Sequence, residues 1–459
     1  MGKLVYLFLP AVLFMAGCSG PQKMDRWTAP DQPDFALKNG LLTVEEGLTL
    51  CYGGAGAAKG FVNFEMSGLA RTTAGAEAGI RFHSAPDGRG YEVLFHNGPL
   101  DSSRKTGSLT AVRNLYKSIV EDGTWFPFTI AVRGKNISVR IGDTDVVCYT
   151  EPEAPFRTAD YRNRLLGKGN FFLAGYRGKV EFRDLLVNRL PANAVNPADT
   201  LGAVDEQSDP VIRLQQRLFP LIDCHVHLKG WSMDQAHAAS MNYGINYGIA
   251  PNCGRGFPIT DDAGVRLFMD SVKHKPFFFG MQGEGREWPA TFSHESRALF
   301  DYVFTDALTF HDHKGRRTRM WISEETFVDI PEEEYMDLIV ERTVMILNTE
   351  PVDIYVNPTL LPHVIRDHYS RLWTEERYAG IIKALKDNRI ALEINARYEI
   401  PGIEIIRAAK AAGIKFTFGT NNNTPDIGKL EYCLKAIEAC GLTEDDLWFP
   451  VDRRSQSPL

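Results

Sequence analysis

The residues of this chain best suited to chemistry gather in its second half. Asp223-Cys224-His225-Val226-His227 closes an apolar run that begins at Leu221. On a strand, His225 and His227 are two apart and point to the same face. Two imidazoles at a strand end can grip one metal ion; two buried or solvated histidines are the alternative. Phe279-Gly-Met-Gln-Gly-Glu284 puts Glu284 just past a second apolar run, where an oxygen ligand or a general base would sit. A surface-loop carboxylate is its alternative. Tyr302-Val-Phe-Thr-Asp306 ends in another carboxylate, and His311-Asp312-His313 is a second HxH on a loop that either reaches a strand-end site or is simply solvated. The metal candidates are therefore His225, His227, Glu284, His311 and His313. Glu284 and Asp306 are the candidate catalytic groups. Arg255 and Arg286, in Gly-rich stretches, could hold an anionic or hydroxyl-rich substrate.

These residues need a scaffold that brings strand ends together. From Leu218 onward, strand-like runs (Leu221–His227, Gly244–Ile249, Pro276–Gly280, Tyr302–Phe304, Val352–Val356, Ile390–Ile394, Lys415–Gly419) alternate with helical stretches (Asp261–His274, Glu332–Leu347, Glu375–Asn388, Gly402–Ala412). About seven β/α units in roughly 240 residues predict a barrel of parallel strands over 218–453. Residues 34–191 carry a different period. Gly60–Met66, Ala78–His83, Gly90–Phe95, Phe126–Arg133, Ile137–Ile141 and Lys179–Val187 alternate apolar with polar between Gly, Asp and Asn turns. That predicts an all-β jelly-roll sandwich. On it, Arg81, His83, Glu92 and His96 could line one concave face. Arg81 and Glu92 are the pair suited to vicinal hydroxyls; a solvated outer face is the alternative. Residues 192–217, rich in Ala, Pro, Asn and Asp at their start, read as a linker.

The chain opens with Lys3, an apolar run from Leu4 to Met15, and Ala16-Gly17-Cys18. That run is too short to span a bilayer and suits the core of a signal peptide, residues 1–17. The small residues before Cys18 resemble the lipobox of bacterial lipoproteins, which implies lipidation of Cys18, a tether over 18–33 and a bacterial envelope location. Ser19 in place of Asp resembles an outer-membrane signal. Composition is ordinary for a globular chain: 459 residues, 44% hydrophobic and 24% charged, net charge −7. The negative balance argues against broad binding to nucleic acid or anionic lipid and leaves room for a local basic patch. The six cysteines beyond Cys18 show no repeating spacing and no disulfide scaffold.

Two resemblances follow from ordered motifs. Asn63-Phe-Glu65, Ala78–Phe82, Gly90–Val93, Thr106–Leu109, Trp125, Val146–Tyr149 and Val180–Leu185 resemble the 3-keto-disaccharide hydrolase domain family, a concanavalin-type jelly roll associated with glycoside and keto-sugar processing. Where that family often shows Leu-Gln-x-His, this chain has Leu173-Ala-Gly-Tyr176. Ile222–His227, Gly280 with Glu284, Ala391–Asn395, Phe416–Gly419, Gly428–Tyr432 and Ala439–Leu447 resemble the polymerase and histidinol phosphatase (PHP) superfamily of distorted β/α barrels. That resemblance implies Zn, Mn or Fe and phosphoester hydrolysis. The usual ligands after several strands are replaced here by Asn252-Cys253, Asn357 and Thr420-Asn421-Asn422-Asn423. Amides bind such ions weakly, so one Zn or Mn ion is expected instead of three. Asn421 and Asn423 are then candidates for sugar hydroxyls. The expectation is an envelope lipoprotein acting as a metal-dependent hydrolase on saccharides or modified glycosides. The alternatives are a non-catalytic glycan-binding lipoprotein and a sugar-phosphate phosphoesterase.

Overall fold

The computed structural model describes residues 20–30, 40–85, 89–199, 202–272, 275–425 and 427–450. Cys18 and the signal segment lie outside the described residues. The first domain is two antiparallel sheets packed face to face. Seven strands make one sheet and five the other, and their inward residues, among them Phe61, Phe64, Phe82, Phe95, Phe171 and Phe182, form one core. Residues 22–29 are not a tether. Gln22–Lys23 pairs with Lys179–Arg189, Trp27–Thr28 pairs with Thr49–Tyr52, and Met24 and Trp27 are buried. Two-residue strands are too short to show a period, and only the core beneath Trp27 makes them necessary.

The closed barrel of the second domain has seven parallel strands, β1 (Ile222–Val226), β2 (Asn246–Ile249), β3 (Phe278–Gly283), β4 (Tyr302–Thr305), β5 (Ile354–Tyr355), β6 (Ala391–Asn395) and β7 (Phe416–Gly419), and a two-residue eighth, Asn252–Cys253, lies parallel beside the end of β3. Each pairs with the next, and β7 pairs with β1, so the sheet closes on itself in chain order. The strand residues are nearly all buried, as expected of strands covered on both sides. The helices at Asp262–Val272, Glu332–Thr349, Glu375–Asn388 and Ile403–Ala411 fall where their apolar periodicity puts them. A parallel closed sheet gathers all seven strand C-termini at one mouth. Among the described residues no helix is long and apolar enough to cross a membrane.

The connection between the domains is fastened. Glu206 is fully buried and accepts from the Phe156 amide and Arg157. Residues Pro210–Gln216 form a helix capped by Asp209. The sandwich in turn inserts a loop into the barrel's N-terminal end. Tyr116, 1% exposed, packs among Ile222, Phe278, Ile354 and Ala391, the first residues of β1, β3, β5 and β6. Its amide donates to Asn246 Oδ1 at 3.2 Å, and Asn246 Nδ2 donates to the Asn114 carbonyl at 2.9 Å. Lys117 bonds Asp301 at 2.6 Å. The jelly roll thus plugs the closed end of the barrel. The six cysteines within the described residues are all free thiols.

Candidate functional site

At the barrel mouth, the pleat of β1 sends His225 and His227 to one face, with ring centroids 5.1 Å apart. Each has its Nδ1 held. His225 Nδ1 meets Glu393 Oε1 at 2.6 Å, and His227 Nδ1 meets the Ala250 carbonyl at 2.9 Å. His225 Nε2 is buried with no hydrogen-bond partner. Gly419, the last residue of β7, permits this pair. A Cβ there would stand 2.7 Å from the Cβ of His225 and against the Glu393 carboxyl. Below the histidines, Asp223 accepts from the Thr420 amide at 2.9 Å and hydroxyl at 2.7 Å, tying β1 to the end of β7.

The two candidate carboxylates are also at the mouth, both 6% exposed. Burial and the nearby Asp306 push Glu284 up to about 7, and burial raises Asp306. Amides engage both. Asn252 Nδ2 donates to Glu284 Oε1 at 2.6 Å, and Asn357 Nδ2 approaches Asp306 Oδ2 at 3.4 Å. Asn395 and Asn421 both donate to Asn357 Oδ1, at 2.9 and 2.6 Å. Glu393 Oε2 accepts from the Asn357 amide at 2.7 Å. Burial opposes charge on His225, but the Glu393 carboxylate outweighs it and the imidazole's pKa is raised. Burial, with the charges of His225, Lys229 and Arg397, lowers His227 to about 3.

The donor chemistry fits a divalent transition ion. Two imidazoles have their outer nitrogens oriented by a carboxylate and a carbonyl, the arrangement metal-binding histidines use. The other nitrogen of His225, Nε2, is buried without a partner, and two carboxyls disfavour each other's charge. Among the described residues, however, no three His, Cys, Asp or Glu side chains already converge on one point. A third ligand would come from Glu284, whose second carboxyl oxygen is not bonded to Asn252.

The remaining sequence candidates divide. Arg286 bridges inward, donating to the Thr305 hydroxyl and Asp306 carbonyl at 3.0 Å and facing Glu350 at 3.1 Å. Arg255 is exposed on the loop after β2. His311 and His313 lie on a hairpin, Thr309–His311 with Arg317–Arg319. His311 is exposed and His313 faces Asp329 at 3.4 Å, so neither is brought into contact with His225, His227 or Glu284. That hairpin's acidic neighbours, not the mouth, satisfy it. Asn421 points into the amide chain and Asn423 is exposed. Asn422 clips β1 instead, accepting from the His227 amide and donating to the His227 carbonyl. The sequence marks Asn252, Asn357 and Asn421 as standing where ligands are usual, but their pairings and the place of Glu350 are not legible in it, because nothing local marks which Asn faces a carboxylate across the barrel.

On the sandwich, Arg81 and Glu92 are register partners on adjacent strands and bond at 2.9 Å. Tyr176 joins them, its hydroxyl donating to Glu92 and accepting from Arg81. It stands where the family motif differs. Burial opposes charge on Glu92, but Arg164, Tyr176 and Arg81 hold it below the usual carboxylate range. Gly79 leaves room for this carboxyl, which would lie 2.8 Å from a Cβ there. A cavity of ≈ 410 Å³ opens beside the cluster, lined by Arg81, Arg89, Asp160, Tyr161, Asn163 and Arg164. His83 does not share the Arg81 face. Its φ of 54° turns the ring inward, where Nε2 meets the Val62 carbonyl at 2.7 Å and Nδ1 accepts from the Gly167 amide at 3.3 Å. His96 is likewise buried against Ala76 and Ser103.

Residues 20–188 match the model of the 3-keto-alpha-glucoside-1,2-lyase-like domain. No curated protein matches the chain. Solved structures with some likeness include a Parabacteroides distasonis protein with a provisional glycosyl hydrolase assignment, at 13% identity over 36% of this chain and 88% of that one, TM-score 0.32. A carbohydrate binding module, CBM66, from Bacillus subtilis is 10% identical over 35% and 94%, TM-score 0.24. A Bacillus licheniformis β-glucanase is 7% identical over 39% and 100%, TM-score 0.25.

Proposed function

We propose that this protein is a bacterial envelope lipoprotein, anchored through Cys18 at the outer membrane, that hydrolyses saccharides or modified glycosides. The jelly roll contributes saccharide binding, in keeping with its match to a glucoside-lyase-like domain. The barrel, of the polymerase and histidinol phosphatase type, contributes the reaction. The observation that carries this reading is His225, whose Nδ1 is locked by Glu393 while its buried Nε2 has no partner. A buried imidazole nitrogen left unsatisfied is costly unless something occupies it.

One Zn or Mn ion would be held by His225 and His227, with Glu284 as the available third ligand. When bound, such an ion supplies Lewis-acid polarisation of the scissile group. The side chains supply the rest. Glu284 titrates near neutrality and has one carboxyl oxygen not bonded to Asn252, so it can take or hold a proton there. Asp306 serves that role if Glu284 is a ligand. Arg286 fixes the Asp306 backbone from behind. Asn423, exposed on the loop after β7, offers an amide to hydroxyls. In the jelly roll, Arg81, Glu92 and Tyr176 present a donor–acceptor set to vicinal hydroxyls above the cavity.

The absence of three converging donors among the described residues favours a second reading, a glycan-binding lipoprotein with an inactive barrel. Elemental analysis of the chain from residue 20, beside the His225→Ala/His227→Ala variant, separates the two. About one transition-metal ion per chain, lost in the variant, together with turnover in a glycoside and phosphoester screen, is the expected result. No metal in either protein after incubation with Zn or Mn would overturn the hydrolase and leave the binding reading. A Cys18→Ala chain that still fractionates with membranes would overturn the anchor.

A further inference from the structure

The mouth carries a ring of cations whose pairing differs from that of their neighbours. On the hairpin after β4, Lys314 and Arg316 pair with Asp329 or Asp312, and Arg319 pairs with Glu325. Arg317, on the same hairpin, is exposed and has no ion pair among the described residues. The same holds for Lys229 after β1, Arg255 after β2 and Arg397 after β6. Arg397 is set in place, lying over the Tyr398 ring at 4.7 Å and donating to the Asn421 carbonyl at 3.3 Å. Four cations outside any ion pair among the described residues therefore stand on four different loops around one opening, with Glu287 near enough to Arg255 and Arg317 to feel their charge, in a protein whose net charge is −7.

We infer that the barrel mouth takes an acidic oligosaccharide, one bearing carboxylate or sulfate groups on successive sugars. A single phosphate monoester would be gripped by cations converging on one point. Arg255 and Arg317 both act on Glu287, and Lys229 and Arg397 both act on His227, so the cations stand as two pairs on loops after four different strands, which suits charges repeated along a chain. Guanidinium pairs with carboxylate or sulfate oxygens in a fork geometry, and exposed cations attract such a chain before contact. The inference rests on the proposed saccharide reading and adds the charge class.

The test is binding by calorimetry to the chain from residue 20, with trigalacturonate, its fully methyl-esterified form, a sulfated trisaccharide of similar size and glucose 6-phosphate. Trigalacturonate or the sulfated sugar should bind about tenfold or more tighter than the neutral ester. The preference should shrink with added salt, and Lys229→Ala, Arg255→Ala, Arg317→Ala and Arg397→Ala should each reduce it. Which acid binds tighter identifies the charged group. Lys386→Ala, exposed on the helix Glu375–Asn388 away from both sites, should leave the preference unchanged. Equal binding of the ester, an unchanged preference in the combined rim variant, or tightest binding of glucose 6-phosphate would overturn the inference. Rim-dependent acid binding without metal or turnover would sustain it while sinking the hydrolase. Turnover of neutral glycosides untouched by the rim variants would do the reverse.

Discussion

His225 and Glu393 meet at 2.6 Å across the barrel, from β1 to β6, with both side chains 1% exposed. The contact fixes which imidazole nitrogen faces the mouth. If that nitrogen is a metal ligand, Glu393 is its orienting partner.

Replacing Glu393 by Gln keeps the shape and removes the charge. Loss of such a partner typically weakens metal binding roughly 10- to 100-fold. Zn or Mn titration of Glu393→Gln against the parent chain should show that loss with the fold retained by circular dichroism. Unchanged affinity would separate Glu393 from the ion.

Tyr116 should behave oppositely under two substitutions. Its ring fills the closed end of the barrel, so Tyr116→Ala should destabilise by about 3 to 5 kcal/mol. Its hydroxyl is buried without a hydrogen-bond partner, so Tyr116→Phe should cost nothing measurable or stabilise slightly. Urea unfolding of both variants checks this. A large loss in Tyr116→Phe would show the hydroxyl to be engaged.

His83 gives the jelly roll a defined acid response. It accepts the Gly167 amide at one nitrogen and donates to the Val62 carbonyl with the other, so it is held neutral. Burial lowers its pKa from 6.5 to about 4. The unfolded chain therefore takes up this proton first as pH falls. The stability the neutral ring confers is complete above pH 6.5, is lost between 6.5 and about 4, and falls no further below that. The full loss is about 3 kcal/mol. His83→Gln should make the stability profile less steep between pH 6.5 and 5, a window above the titration of Glu92 that the buried His227 shares. An unchanged slope would reject His83 as its source.

Much of this protein is legible in its residues alone. Apolar alternation marks the sandwich strands, and alternating runs and helices mark seven parallel strands, because burial imposes a period of 2 or 3.6 on any chain that forms them. The HxH at the end of β1, and Glu284 and Asp306 at later strand ends, are readable for the same reason: a parallel barrel brings every strand end to one face. The pairings across that face are not. Asn252 with Glu284, Asn357 with Asp306 and Glu393 with His225 join residues 32, 51 and 168 positions apart. The inward turn of His83 and the reach of Tyr116 into the neighbouring domain leave no periodic trace either. Local sequence carries the period of an element and the chemistry of a side chain. Which side chain meets which is settled by closure of the barrel and docking of the domains, and these depend on distances that only the folded chain defines.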